Sequence, residues 1–358
     1  MKNTDQDLEF VDLEEEEIEE FQEIEEEFED VPSKKSGVKA VQAIVGIIML
    51  LLVVAAFIMV VRWQKGKKLV INPEDLTEDY SIETMDYVEF FNPTLIQGYE
   101  YDGSYDILIL GDKMVYGEAE DTGLAAKIRE NTKGNITCLA TPTATISTKN
   151  ENYSLDYPED AFSLYYIALC MTACEGGDYS LQDAALEHIE EDREAYKKYV
   201  EGLREVDMKS IDVLIISCGF YDYLDAHRLE NGVPTEEHML GDKNGVNGAL
   251  YDSLTMLKNA YPTMQIVVSS PTFCFVENKD GERIGADLYK SNGCSLGDYV
   301  GSYGSVVASM NVSFADNYFG AGFTCDNYEG YLTEDGTKLT EKGAKAVADH
   351  VCSFLYQP

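Results

Sequence analysis

An uninterrupted apolar run from Ala40 to Val61 constrains this chain more than any other feature. Its 22 residues include no charged side chain and a single amide, Gln42. At about 1.5 Å per residue, a helix of this length spans a hydrocarbon core of about 30 Å. The sequence therefore predicts one transmembrane helix at 40–61. A cleaved signal peptide is disfavoured, because the run is too long and no small-residue cleavage site follows it.

The segment before this run is strongly acidic. Residues 1–32 hold sixteen Asp or Glu and one Lys, and the formal net charge of the whole chain is −39. Such a charge argues against nucleic acid as a main partner. We predict that residues 1–39 are a disordered cytoplasmic tail. The alternative is an acidic amphipathic helix that binds a basic cytoplasmic partner along the stripe Ile18, Phe21, Ile24 and Phe28.

After a predicted tether and lead-in at 62–104, strand and helix patterns alternate over residues 105–358. The predicted strands are 106–111, 136–140, 211–218, 265–270 and 312–315, and the predicted helices are 124–130, 158–173, 181–206, 249–259, 296–310 and 341–354. This order predicts an α/β domain with a doubly wound parallel sheet and helices on both faces. A hydrophobic content of 45% is enough to form its core.

Polar blocks follow four of the predicted strands and turns. They read G-D-K-M-V-Y-G from Gly111, C-L-A-T-P-T-A-T from Cys138, G-F-Y-D from Gly219 and D-G-T-K-L-T-E-K-G from Asp335. Ligands of parallel α/β sheets bind beyond the carboxyl ends of the strands, so these blocks are expected to meet in one crevice.

In this order the blocks resemble those of the SGNH/GDSL hydrolases, which read G-D-S-x-x-x-G, G-x-N-D and D-x-x-H-L-T-x-x-G at the first, third and last positions. The matching residues are Gly111, Asp112, Gly117, Gly219, Asp222, Asp335, Leu339, Thr340 and Gly343. The family contains esterases, lipases and carbohydrate deacetylases with a flavodoxin-like three-layer α/β/α sandwich. The resemblance covers about 250 residues and implies that fold here.

The chain departs from the family at the positions that carry the chemistry. Lys113 stands where the family has its nucleophilic Ser, Tyr221 where it has the oxyanion-hole Asn, and Lys338 where it has the His base. In the second block, two family glycines are replaced by Ala140 and Thr143. Of the catalytic set, the resemblance leaves only the acid, Asp335.

These replacements remove the steps that ester hydrolysis needs. An acyl group transferred to Lys113 would form a stable amide, whereas a Ser ester can be hydrolysed. Lys338 has an ordinary pKa of about 10.4 and does not accept a proton at neutral pH as an imidazole does. The Tyr221 hydroxyl and the Ala140 N–H can still donate to an oxyanion. A displaced base at His227 or His238 is the remaining catalytic alternative.

Two interpretations of the remaining charged crevice stay open. Lys113 and Lys338 can close it with salt bridges to Asp112, Asp222 and Asp335. They can instead present a cationic spot to an anionic glycan or peptide. No cluster of residues has metal-ligand spacing, and no cofactor is predicted.

The sequence thus supports two functional hypotheses. The first is a non-catalytic, single-pass protein of the cell membrane whose extracytoplasmic domain binds a ligand or partner at the cell envelope. The second is an active esterase or deacetylase that acts on envelope carbohydrate through non-standard groups. Basic residues flank both ends of the predicted span, so the outward orientation of the domain is an expectation drawn from the family resemblance.

Overall fold

The computed structural model describes residues 84–96, 99, 102–112, 122–230 and 242–356. The predicted acidic tail, the predicted transmembrane helix and most of the predicted tether lie outside these ranges. Lys113, Gly117 and His238 lie outside them as well. Within the part of the chain that the model describes, no helix has the length and apolar character needed to cross a bilayer.

A five-stranded parallel sheet forms the centre of the domain. The strands are β1 (Asp106–Gly111), β2 (Asn135–Ala140), β3 (Val213–Ser217), β4 (Gln265–Ser269), β5 (Phe275–Glu277), β6 (Arg283–Gly285) and β7 (Ser313–Ala315). The order across the sheet is β2-β1-β3-β4-β7, while β5 and β6 form a separate antiparallel hairpin. The chain therefore has the predicted α/β fold, with the strand order reversing between β1 and β3 as in flavodoxin-like sheets.

The interior strands are buried on both faces, which explains their unbroken apolar sequences. Every residue of β3 and β4 is buried, as are all residues of β1 after Asp106. Parallel strands covered by helices on both sides require such runs. The register places Gly111, the last residue of β1, opposite Ala140 of β2 and Ser217 of β3. The carboxyl ends of these three strands therefore meet at one edge of the sheet.

Helices cover both faces of the sheet. They are α1 (Leu124–Thr132), α2 (Leu164–Thr172), α3 (Ser180–Leu186), α4 (Arg193–Glu205), α5 (Phe220–Leu224), α6 (Val246–Ala260), α7 (Leu296–Ser309), α8 (Asn317–Gly320) and α9 (Glu341–Cys352). Helix α1 packs against α9, and α6 packs against both α2 and α7. The connection from β1 to β2 crosses the sheet in one direction, and the later connections cross it in the other. Because such crossovers are right-handed, the pair α1 and α9 lies on one face of the sheet and the group α2, α6 and α7 lies on the other.

Two of the predicted helices are interrupted. The predicted helix 158–173 begins as a 3-10 turn at Pro158–Phe162 and restarts at Ser163, whose hydroxyl accepts a hydrogen bond from the Tyr166 N–H. The predicted helix 181–206 is divided between α3 and α4. Asp192 immediately precedes α4 with φ of 53°, a left-handed conformation that a continuous helix cannot contain.

Residues 84–91, which we name the edge segment, lie along β7. The Tyr87 N–H donates to the Phe314 carbonyl at 3.0 Å, and the Phe314 N–H donates to the Tyr87 carbonyl at 2.8 Å. The Glu89 N–H donates to the Ser313 hydroxyl at 3.1 Å. This part of the predicted lead-in thus contacts the sheet through an antiparallel bridge.

Candidate functional site

The first block starts at the last residue of β1, at the point where the strand order reverses. Asp112 is buried, its N–H donates to the Ser217 carbonyl at 3.1 Å, and its carboxylate accepts from the Phe220 N–H at 3.3 Å. These bonds join the end of β1 to the end of β3 and to the start of α5. Asp112 therefore stabilises the fold as well as lying at the crevice.

Gly219 of the third block has a backbone conformation and a neighbour that favour glycine. Its φ is 115°, and a Cβ at this position would lie 2.8 Å from the ring of Tyr303. The Tyr303 hydroxyl donates to the Gly219 carbonyl at 2.8 Å, which holds the ring against the turn. This tight turn places Tyr221 and Asp222 in the first turn of α5.

Tyr221 keeps its proton at neutral pH. Burial raises the pKa of this phenol well above its ordinary value of 10.0, and the nearby Asp112 and Asp225 carboxylates raise it further. A hydroxyl in this state remains a hydrogen-bond donor. Tyr221 therefore satisfies the chemical requirement for the oxyanion-stabilising role predicted for it.

Asp222 is fully buried and binds the loop that follows β2. Its carboxylate accepts from the Ile146 N–H at 2.6 Å, from the Ser147 N–H at 2.9 Å and from the Ser147 hydroxyl at 2.7 Å. His227 Nδ1 lies 2.8 Å from the Ser147 hydroxyl and 3.4 Å from the Asp222 carboxylate. This aspartate thus fastens the second block to the third.

The charges around His227 favour its protonated form. Burial lowers the pKa of the imidazole, but the hydrogen bond to Asp222 and the negative charges of Asp222, Asp225 and Asp160 outweigh that effect and raise the pKa above 6.5. His227 Nε2 is buried and has no hydrogen-bond partner among the residues that the structure describes. The neighbouring carboxylates therefore stabilise a positive charge on this ring more than burial opposes it.

Ser147, His227 and Asp222 contain the residue types of a hydrolase triad without its geometry. In such a triad, Nε2 of the imidazole takes the serine proton while the aspartate holds Nδ1. Here the serine and the aspartate both lie on the Nδ1 side, and the serine hydroxyl donates to the aspartate. Ser147 is also fully buried. The cluster is therefore a structural link, and His227 is not a displaced catalytic base in this arrangement.

The two replaced positions of the second block have different surroundings. Ala140 is the last residue of β2 and pairs with Gly111, so it lies at the strand-end edge. The Thr143 hydroxyl instead makes a short hydrogen bond to the hydroxyl of Tyr196 in α4. Thr143 therefore connects this loop to a helix.

Asp335 and Lys338 lie on one exposed turn. The Asp335 carboxylate accepts from the Thr333 hydroxyl at 2.5 Å, from the Thr337 N–H at 3.1 Å and from the Thr337 hydroxyl at 2.9 Å. The Thr333 N–H donates to the Lys338 carbonyl at 2.9 Å. Lys338 forms no ion pair with Asp222, with Asp335 or with any other residue that the model describes. Salt bridges from Lys338 thus do not close the crevice.

A small cavity lined by both polar and apolar residues lies at the carboxyl ends of β1, β3 and β4. Its volume is about 10 Å³, roughly enough for one water molecule. The hydroxyl of Thr272, which lines it, is buried and bonds to no other group in the described part of the chain. Its other polar lining residues are Asp112, Ser217, Ser269, Ser270 and Asn317, and Leu339 borders it beside Lys338.

Asn317 and Thr272 are site residues that the sequence analysis missed. The Asn317 side chain donates to the Ser269 hydroxyl at 2.7 Å and to the Ser270 carbonyl at 3.0 Å. Its carbonyl oxygen lies 2.9 Å from Nδ1 of His350. Asn317 follows β7 after one residue, so its position near a strand end was a usable signal.

No family model and no curated protein matches this chain. Solved structures that it resembles include a possible lipase from Chitinophaga pinensis, at 14% identity and a TM-score of 0.44, covering 70% of this chain and 97% of that one. A proposed lipolytic protein of the G-D-S-L family from Desulfitobacterium hafniense aligns at 12% identity and a TM-score of 0.39, covering 70% and 100%.

The periplasmic domain of a lipopolysaccharide acetyltransferase from Salmonella Paratyphi A aligns at 12% identity and a TM-score of 0.37, covering 70% of this chain and 84% of that one. Similarity at this level assigns neither an activity nor a substrate. The strand order, and the position of the first three blocks after β1, β2 and β3, give the domain a flavodoxin-like parallel α/β fold.

Proposed function

We propose that this chain is a single-pass membrane protein whose extracytoplasmic SGNH/GDSL-like domain binds an anionic ligand at the cell envelope without hydrolysing esters. The observation that carries the proposal is Lys338. It occupies the position of the family's base on an exposed turn, and its neighbour Leu339 borders the cavity at the strand ends. An ammonium group at this place attracts anions and does not take protons from a nucleophile.

The contacts of the other site residues are consistent with binding. Tyr221 remains a hydroxyl donor because burial raises its pKa. The Asp335 carboxylate accepts hydrogen bonds from its own turn, through Thr333 and Thr337. A carboxylate, phosphate or sulfate of a glycan or peptide is a suitable ligand for an exposed ammonium. The acidic tail, on the opposite side of the membrane, is proposed to meet a basic cytoplasmic partner.

Hydrolysis of p-nitrophenyl acetate and of acetylated xylan by the full-length chain in detergent tests the absence of catalysis. We expect the unmodified protein and Lys113→Ala to match the buffer rate. The triple variant Lys113→Ser, Tyr221→Asn, Lys338→His is the comparison that restores the family residues. Activity in the unmodified protein that disappears in Lys113→Ala would establish the esterase hypothesis and overturn this proposal.

Titration calorimetry with polygalacturonate and with inorganic phosphate tests the binding role. Lys338→Gln should weaken binding about fivefold, because an exposed charge pair contributes up to about 1 kcal/mol. Lys198→Gln is a matched control, since Lys198 is an exposed lysine of α4 and the substitution removes the same charge. The proposal fails if neither probe binds, or if both variants bind them equally.

A further inference from the structure

The edge segment uses only one of its two backbone edges. Tyr87 exchanges two backbone hydrogen bonds with Phe314 of β7. Along an extended strand, alternate residues direct their N–H and C=O groups to opposite sides. Val88 and Phe90 therefore face away from β7, and neither has a backbone hydrogen bond to any residue that the model describes. Such an open edge can pair with another strand.

The edge segment and the short turn that follows it, up to Leu95, carry most of the exposed large apolar side chains of the described residues. Seven large apolar side chains are exposed among the residues described, and four of them lie between Met85 and Leu95. Val88 is 63% exposed, Phe90 is 79% exposed and Leu95 is 78% exposed. Charged side chains, especially lysine, commonly protect open edges, and the segment contains no Lys or Arg.

These features favour a second strand over a lipid surface. Unpaired N–H and C=O groups cost several kcal/mol each in hydrocarbon, so burying this edge in a bilayer would be unfavourable. The absence of basic residues also removes the attraction to anionic headgroups. A strand added along this edge would form hydrogen bonds with its unpaired N–H and C=O groups and would also cover its apolar side chains.

We propose that the edge segment pairs antiparallel with the same segment of a second copy of this chain. Such an interface has two-fold symmetry and needs no other partner. With Val88 opposite Phe90 of the second copy, the pair forms twice, and aromatic side chains pair favourably with β-branched ones across strands. Asp86 then lies opposite Asn92, and Glu89 lies opposite Glu89 of the second copy, so one pair of carboxylates faces across the two-fold axis and opposes pairing at low salt.

The position of the segment in the chain supports this occupant. The predicted transmembrane helix ends at Val61, and 22 residues separate it from Thr84, the first residue that the structure describes. Copies anchored in one membrane share a plane, which raises their effective concentration for pairing. The net charge of −39 opposes self-association, so pairing should strengthen as salt screens this repulsion.

Amide hydrogen exchange of the full-length chain in detergent tests the pairing directly. As protein concentration rises, exchange at Val88 and Phe90 should slow by about tenfold or more, as protection of newly bonded amides predicts. The Tyr87 amide is already bonded to Phe314 and should change little. Exchange at Val88 and Phe90 that is independent of concentration would overturn the proposal, and so would protection that appears only on adding phosphatidylcholine vesicles.

Light scattering of the full-length chain provides the second measurement. The unmodified protein should become dimeric within about 1–100 μM, the range of moderate affinity. Val88→Lys with Phe90→Lys should remain monomeric, because both side chains are exposed and the added charges would face each other. Leu155→Lys with Leu288→Lys adds the same charge at other exposed apolar positions and should dimerise normally. Equal association of the two double variants, or a monomeric unmodified protein, would refute this interface.

Discussion

Replacing Asp222 by Asn should destabilise the domain severely, although the two side chains have nearly the same shape. The carboxylate accepts three hydrogen bonds, from the Ile146 N–H, the Ser147 N–H and the Ser147 hydroxyl, in a fully buried site. An amide has one acceptor oxygen, and its NH₂ group must face at least one of these donors. Losing hydrogen bonds to a charged acceptor and leaving a buried donor unpaired together cost about 3–5 kcal/mol.

Thermal unfolding of the full-length protein in detergent, followed by near-ultraviolet circular dichroism at pH 7, measures this loss. For a domain of this size, 1 kcal/mol lowers Tm by about 2–4 °C, so the expected decrease is about 6–20 °C. Asp225→Asn is the matched control. Asp225 is exposed, lies three residues further on, and should lower the free energy of unfolding by less than about 1 kcal/mol. A decrease of under about 2 °C for Asp222→Asn, or equal effects of the two variants, would refute the structural role.

Two further substitutions test neighbouring parts of the same region. The raised pKa of His227 means that the folded state binds its proton more tightly, so this stabilisation is complete below about pH 6.5 and is lost as pH rises through the folded pKa. The Tm of the unmodified protein should therefore fall more between about pH 6 and pH 9 than the Tm of His227→Gln. An equal decrease of Tm with pH in the two proteins would contradict the raised pKa of His227. Gly219→Ala should cost about 2–4 kcal/mol in chemical unfolding, since alanine disfavours φ of 115° and its Cβ would meet the Tyr303 ring; an effect below 1 kcal/mol would show that the turn relaxes.

The sheet was predictable because its interior strands have a simple sequence pattern. The apolar runs in β1, β3 and β4 are short, unbroken and separated by helical segments, which is typical of parallel strands buried on both faces. Residues next to such strand ends are brought to one edge by the topology alone. Asp112 and the start of the Gly219–Asp222 block meet at this edge, where the Phe220 N–H donates to the Asp112 carboxylate.

Helix breaks and short hairpins were missed because their signals are local and weak. Residues 181–206 keep a helical spacing of apolar side chains, but the chain turns at Asp192, where acidic residues accumulate. Each strand of the β5–β6 hairpin is only three residues long. Its position depends on contacts with a distant turn, including the Phe275 N–H bond to the Gly336 carbonyl. Periodicity in the sequence cannot reveal such a contact.

The link between Asp222 and Ser147 was unpredictable for a related reason. Two of the three donors to Asp222 are backbone N–H groups, and every non-proline residue carries one. The identity of Ile146 therefore gives no sign that its N–H meets a carboxylate 76 residues away. Ser147 likewise lies in a Thr- and Ser-rich loop where several hydroxyls are equally plausible partners from the sequence alone.

The retained and replaced family positions differ in what the fold requires of them. Asp112 and Asp222 accept backbone N–H bonds in buried surroundings, and Gly219 has a conformation and a neighbour that disfavour a side chain. Tyr221 and Lys338 are only half-buried and exposed, respectively, so other side chains fit there without loss of a buried contact. Substitutions in the first group would therefore also destabilise the domain, whereas those in the second group would mainly change the chemistry of the crevice. The structure alone thus explains why the first group is retained, and the second group is where the proposed binding function and an esterase differ.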